Sequence, residues 1–214
     1  MPKQTFFNLP KEKRDRIIAA AKEVFSKNSY EEASINQIVK LARIPRGSFY
    51  QYFEDKDDLY GYLSSQMFLR MINAARQKLP ECDYDPFKLS EQILPSWLEE
   101  LFTGEDSSFY YRRLEMFHRR QMPHLKRQVL DNRLLDNRLL DNCLSDEEMA
   151  KITAKVKLGD ASDFDFMVQC ISMAFYNSIR AGFINYEATG DANLDELKAK
   201  LLRDLHYLEV GFEK

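Results

Sequence analysis

Residues 46–53 read Arg-Gly-Ser-Phe-Tyr-Gln-Tyr-Phe. Arginine offers a planar fork of donors, glutamine an amide with both donor and acceptor, and tyrosine a phenol, so the segment carries groups suited to phosphates and to the edges of bases. On a helix Phe49 and Phe53 fall four apart on one face, which leaves Arg46, Ser48, Tyr50, Gln51 and Tyr52 facing outward and Gly47 free for close approach of the backbone. Arg46 and Gln51 are the candidates for reading bases, since arginine grips guanine and glutamine grips adenine through paired hydrogen bonds. Enzyme chemistry finds little support. His118, His124 and His206 have no ligand partners at helical spacing, and there is no Gly-rich phosphate loop, Gly-x-Ser-x-Gly or His-Glu-x-x-His. No catalytic group, metal or cofactor is therefore expected. Cys82, Cys143 and Cys170 lie far apart without a Cys-x-x-Cys pair, which fits reduced structural thiols.

The elements that must position these groups read as all-α. Only 7 glycines and 7 prolines punctuate 214 residues, and apolar residues at helical spacing recur almost throughout. Ile17, Ile18, Ala21, Val24 and Phe25 predict a first helix over Lys11 to Lys27. Ser34 followed by Gln37 is a capping box that opens a short second helix carrying Ile38, Val39 and Ala42. Arg43 and Ile44 make a tight connection, and Pro45 suits the start of a third helix reaching about Phe53. A long fourth helix over Lys56 to Lys78 joins this head to the rest. Later helices are expected at Pro86–Phe102, Ser107–Arg120, Pro123–Leu144, Asp146–Lys157, Ser162–Glu187 and Leu194–Phe212, the acid runs at 54–58 and 145–148 lying at helix N-termini where the dipole favours them. The repeat LDNRL-LDNRL-LDNCL at 130–144 turns by about 140° per unit and spreads its leucines round the cylinder. It reads either as a leucine-rich contact surface or as a tolerated tandem duplication. Residues 1–50 carry a net +5 and the remainder −8, as a nucleic-acid-binding head on an acidic body would. The opening residues lack the apolar core of a signal peptide and no run reaches the roughly 18 apolar residues of a membrane span, so a cytoplasmic protein is expected.

Two short helices joined tightly and braced by a longer one form a helix-turn-helix unit. At this point the stretch Leu41 to Leu59, LARIPRGSFYQYFEDKDDL, resembles the signature of the TetR/AcrR family of transcriptional regulators over roughly residues 10 to 60: a small residue, an aromatic, Tyr-x-Tyr-Phe and Lys-acid-acid-Leu fall in register. The resemblance implies an N-terminal DNA-binding domain over 1–55 and a helical effector-binding and dimerisation domain over 56–214. It implies that Arg46, Gly47, Ser48, Tyr50, Gln51 and Tyr52 approach DNA, that Lys56 reaches a phosphate, and that Ser34 and Asn36 touch the backbone. Two positions depart from the family: Arg43 stands where the turn usually has glycine, and Pro45 where Ser or Thr is usual. A non-glycine residue in a left-handed turn costs about 1 kcal/mol.

The body between Cys82 and Tyr186 is dense in aromatic side chains. Such rings are more often core than pocket, but the resemblance implies an effector cavity, and Trp97, Met116, Phe117 and Phe175, with Arg113, His118 and Gln121 as orienting groups, would suit an apolar or aromatic compound. Leu197, Leu201, Leu205 and Leu208 form a seam in the last helix, and Met167, Ile171, Phe175 and Ile179 lie on the helix before it. The resemblance suggests that these two helices build a homodimer interface; packing within one chain accounts for the same pattern. The expected function is a homodimeric repressor released from a near-palindromic operator by a small molecule. The alternative is a helical ligand-binding or scaffold protein whose helix-turn-helix has lost DNA affinity through Arg43 and Pro45, and salt-dependent duplex binding separates the two.

Overall fold

The computed structural model describes residues 1–118, 144–156, 158 and 161–212, and within these the side chains of 117, 118, 161 and 162 are not described. All regular structure among the described residues is helical: α1 (Gln4–Phe7), α2 (Lys11–Lys27), α3 (Ile35–Ala42), α4 (Arg46–Tyr52), α5 (Lys56–Lys78), α6 (Pro86–Thr103), α7 (Ser107–His118), α8 (Asp146–Lys155), α9 (Ala161–Thr189) and α10 (Leu194–Phe212), with a 3-10 turn at Leu79–Cys82. The expected all-α class and the expected bounds of α2, α5 and α10 hold. The helix expected at Pro123–Leu144 and the LDNRL repeat, apart from Leu144, lie outside the described residues. Two compact units emerge, one from residues 1–67 and 104–118, the other from 68–103 and 144–212.

The first unit is built on aromatic and branched side chains withdrawn from water. Ile17 and Phe25 of α2, Ile38 of α3, Phe49 of α4, Phe53 just beyond it, Leu59 and Leu63 of α5 and Phe109 of α7 are all fully buried, each contributing about 1.5–3 kcal/mol of transfer free energy. Lys22 of α2 pairs with Asp106, next to the start of α7, at 2.5 Å with both side chains largely shielded. Phe25, Tyr30, Tyr60 and Phe109 form a run of ring contacts with centroids 5.0–6.2 Å apart. The acids before α5 act as N-terminal caps, as the sequence suggests: the Asp55 carboxylate accepts from the Asp58 N–H at 2.8 Å.

The second unit has its own core of Leu79, Phe87, Ile152, Val156, Phe164 and Met167. A capping box opens α8, Ser145 and Glu148 exchanging side-chain and backbone hydrogen bonds. These bonds hold the Glu148 carboxyl below its usual range, the Ser145 backbone N–H foremost. Where α9 meets α10 and α6 the approach is close: a Cβ on Gly182 would stand 2.6 Å from both Leu197 Cδ1 and Phe102 Cζ. A methyl there would have to displace the tips of the Leu197 and Phe102 side chains.

Candidate nucleic-acid interface

The geometry of the helix-turn-helix follows from a few local decisions. At the start of α3 the Gln37 side chain accepts from the Ser34 backbone N–H at 2.7 Å while Ser34 Oγ accepts from the Gln37 N–H at 3.3 Å, completing the box foreseen from sequence. The helix stops at Arg43, which adopts φ 53°, ψ 51°, the left-handed conformation that a side chain disfavours by about 1 kcal/mol. That cost is met locally. The Ile44 N–H reaches the Val39 carbonyl at 3.1 Å, buried Ile44 anchors the turn, and Arg16 of α2 donates to the Ala42 carbonyl at 3.0 Å. Pro45 then serves as N-cap with φ −60°, a value its ring supplies without strain.

Helix α4 buries Phe49 and exposes Arg46, Gly47, Tyr50 and Gln51, with Ser48 half-buried. Arg46 Nη1 donates to Asn36 Oδ1 at 2.8 Å, which joins the first turns of α3 and α4 on the solvent side. A guanidinium has five N–H groups, so this bond leaves donors for a base. Around Gly47 an added Cβ would meet nothing within 4 Å. The chain itself therefore makes no demand for glycine at this place. The outward surface thus gathers Ser34, Asn36, Arg46, Gly47, Ser48, Tyr50 and Gln51 along the first turn of α3 and the length of α4.

The outward placing expected for Tyr52 is corrected, and Lys56 has partners within the chain. Tyr52 is buried, 5% exposed: it shares the inner face with Phe49 at i+3, the short helix α1 roofs it through Phe6, and Lys13 Nζ lies 5.6 Å from its ring centre. Lys56, half-buried, is engaged within the chain. Its ammonium donates to the carbonyls of Tyr30 at 2.6 Å and Ala33 at 2.9 Å and sits 4.2 Å over the Tyr30 ring. Burial pushes its pKa below the ordinary lysine value, with Asp57 and Glu31 opposing. The Tyr30 hydroxyl donates to Asp57 Oδ1, and burial, then that carboxylate, raises the phenol's pKa well above its usual value. Lys56 and Asp57 together fasten the loop that delivers Ser34 to the start of α3. One functional element escaped the sequence reading: α1, whose four residues are too few to show a period. The adjacent aromatics Phe6 and Phe7 were its only signal.

The other expected sites fare differently. Met116 and Arg113 of α7 belong to the first unit and Trp97 and Phe175 to the second, while Gln121 and the side chains of Phe117 and His118 lie outside what is described. Burial lowers the pKa of the half-buried Arg113, opposed by Tyr60 and Tyr110. Of the expected dimer residues, Met167, Phe175, Ile179, Leu197, Leu201 and Leu205 are buried inside the chain, and Ile171 and Leu208 pack against the second core. The seam of α10 is spent on α9 and α6. What α9 presents outward is Phe166, Met173, Tyr176, Ile184 and Tyr186, and α10 adds Leu202, Tyr207 and Val210, all at least 38% exposed. Among the described residues no three His, Cys, Asp or Glu side chains gather to hold a metal, and no helix is long and apolar enough to cross a membrane.

Comparison with known proteins converges on one reading of the head. Residues 17–63 match the model of the bacterial regulatory proteins of the tetR family. Among characterised relatives, the transcriptional regulator HbdR of Aromatoleum sp. (strain CIB) is 45% identical over 51 residues, 24% of this chain and 22% of that protein. QacR of Staphylococcus aureus is 34% identical over 68 residues, 32% of each chain. These alignments span a fifth to a third of the relatives' lengths. Over the whole chain, the crystal structure of a TetR family transcriptional regulator from Chloroflexus aurantiacus superposes with a TM-score of 0.51 at 23% identity, covering 100% of this chain and 99% of that one. That likeness concerns the fold.

Proposed function

We propose, for a chain whose N-terminal domain belongs to the tetR family of bacterial regulatory proteins and whose helices follow the fold of a TetR family regulator, that it is a DNA-binding transcriptional repressor acting in the cytoplasm as a homodimer and released by a small apolar or aromatic effector. The observation that carries the reading is the outward face of α4: Arg46, Tyr50 and Gln51 stand exposed beside a glycine with open space around it, an arrangement suited to the floor of a major groove. DNA reading is assigned to residues 1–55, with Ser34, Asn36 and Ser48 on the phosphates and Arg46 and Gln51 on bases. Effector binding and subunit contact are assigned to 56–214.

Dimerisation is assigned to the outward stripe of α9. Phe166, Met173 and Ile184 stand 7 and 11 residues apart in the sequence, within about 20° of one another round the helix, and large exposed apolar side chains aligned in this way mark contact surfaces. A two-fold dimer would set two copies of α4 about 34–36 Å apart and require a near-palindromic site. For the effector, support comes from the aromatic composition of the body, with Trp97 and Phe175 of the second unit as apolar contacts.

Selection of duplexes from a random pool by the intact chain, followed by titration of the winner against salt, tests the proposal. A near-palindrome bound with an affinity that falls steeply as salt rises is expected. Failure to enrich any duplex above the starting pool would refute it and favour a helical ligand-binding protein.

A further inference from the structure

Helix α4 has seven residues, too short to be stable by itself, because nucleating a helix is costly and few bonds repay it. Its last carbonyls, those of Phe49, Tyr50, Gln51 and Tyr52, have no partner inside the helix. Each nevertheless has one. Phe49 O accepts from the Phe53 N–H at 2.9 Å, and Tyr52 O accepts from the Lys3 N–H at 2.8 Å. Tyr50 O accepts from Lys3 Nζ at 2.7 Å and Gln51 O accepts from the Thr5 hydroxyl. Three of the four bonds thus come from a segment more than forty residues away in sequence. The segment is itself pinned: Phe6 is fully buried, with its ring 4.8 Å from Phe53 and 5.5 Å from Tyr62, and Arg14 of α2 donates to the Phe7 carbonyl at 2.7 Å. The ammonium of Lys3 also lies at the negative end of the α4 dipole, where a cation is favoured.

We infer that Lys3, Thr5 and Phe6 are positioning residues for sequence reading: they form a strap that closes the C-terminal turn of α4 and so fixes the side chains of Tyr50 and Gln51 in that turn. The inference rests on the assignment of α4 as the reading helix. Loss of the strap lets the last turn fray. Phosphate contacts made from the first turns of α3 and α4 survive fraying, whereas base contacts from Gln51 require a fixed geometry. The strap therefore bears on discrimination between sequences more than on affinity for DNA as such.

The test uses the full chain, a selected duplex and a scrambled duplex of equal length. Thr5→Val removes the hydroxyl at constant shape and charge, and Thr5→Ser restores it. Lys3→Pro suits the backbone at φ −73° while deleting both the N–H and the ammonium, and Lys3→Ala deletes the ammonium alone. With a hydrogen bond to each freed carbonyl lost, Thr5→Val and Lys3→Pro should each lower the ratio of selected to scrambled affinity by roughly fivefold to tenfold. Affinity for the scrambled duplex in Thr5→Val should stay within about twofold of the unsubstituted chain, Thr5→Ser should keep the full ratio, and Lys3→Pro should exceed Lys3→Ala in effect. Amides 50–53 should exchange faster in Thr5→Val, which gives a readout independent of DNA. If Lys3→Pro does not fold, the Thr5→Val and Thr5→Ser pair decides alone. Equal losses on both duplexes, or a Thr5→Ser chain as impaired as Thr5→Val, would show a general effect on stability and overturn the strap. An unchanged ratio in Thr5→Val while Arg46→Ala loses preference would overturn the strap and leave the reading helix standing. No preference in the unsubstituted chain would remove the reading helix itself.

Discussion

Replacing Lys56 by Met separates two accounts of one lysine. The side chain keeps its stem and loses only the ammonium, which serves the Tyr30 and Ala33 carbonyls at 2.6 and 2.9 Å from a position over the Tyr30 ring. Hydrogen bonds to a charged group are worth about 1.5–3 kcal/mol each and a cation over an aromatic face about 0.5–1 kcal/mol. Water reaches this partly exposed site and replaces much of that, and the depressed pKa of Lys56 shows that burying the ammonium already costs something. A net loss of about 2 kcal/mol follows, which in a chain of this size lowers the melting temperature by roughly 4–8 °C. On this account the slope of log affinity against log salt stays as it was, since no phosphate contact is lost, while affinity for every duplex falls modestly because the 30–33 loop no longer holds α3. The assay is a thermal melt paired with duplex titrations at several salt concentrations. A slope shallower by about one phosphate contact with an unchanged melting temperature would refute the reasoning and return Lys56 to the DNA surface.

Gly47→Ala should stabilise the free protein by about 0.5–1 kcal/mol, because alanine is the better helix former and nothing crowds the new methyl, yet weaken duplex binding where the methyl meets DNA; melting and binding measured together show the opposed signs. Gly182→Ala should destabilise by about 1–3 kcal/mol through overpacking against Leu197 and Phe102, read as a lower denaturant midpoint, and a midpoint at or above the parent's would show the contact is relieved cheaply. Met173→Arg with Ile184→Arg should yield folded monomers in sedimentation, as both side chains are exposed. Leu201→Glu, by contrast, buries a charge within one chain and should unfold it. A Met173→Arg, Ile184→Arg chain that remains dimeric would place the subunit contact elsewhere.

How far the sequence carried this reading depended on whether local signals decided the matter. The capping box of α3 is a four-residue pattern and was legible, as was the stripe of α2, of which Ile17, Ala21, Val24 and Phe25 prove buried and Ile18 half-buried. The left-handed turn at Arg43 was implied by the family resemblance, in which glycine usually stands there. The burial of Tyr52 and the partners of Lys56 were not legible because those partners are remote in the chain. Tyr52 turns inward under Phe6, and Lys56 is claimed by carbonyls near Tyr30, and neither pairing leaves a periodic trace. The helices α9 and α10 posed a different problem. Apolar on most sides, α9 does not reveal by period which face meets its own chain; only the structure shows it, with α9 coming close to α10 and α6 at Gly182. Leucine seams then go inward, and the outer face is left to Phe166, Met173 and Ile184.

The claim that α4 reads DNA is tested most directly by comparing sequence preferences before and after one substitution. The intact chain and Arg46→Ala are each taken through selection from the same random duplex pool, and the affinity for every single-base variant of the selected site is then measured. The prediction is a preference lost at one base pair in each half-site, worth about 1–3 kcal/mol, with other positions and the salt dependence little changed. Superimposable profiles for the two proteins would contradict it.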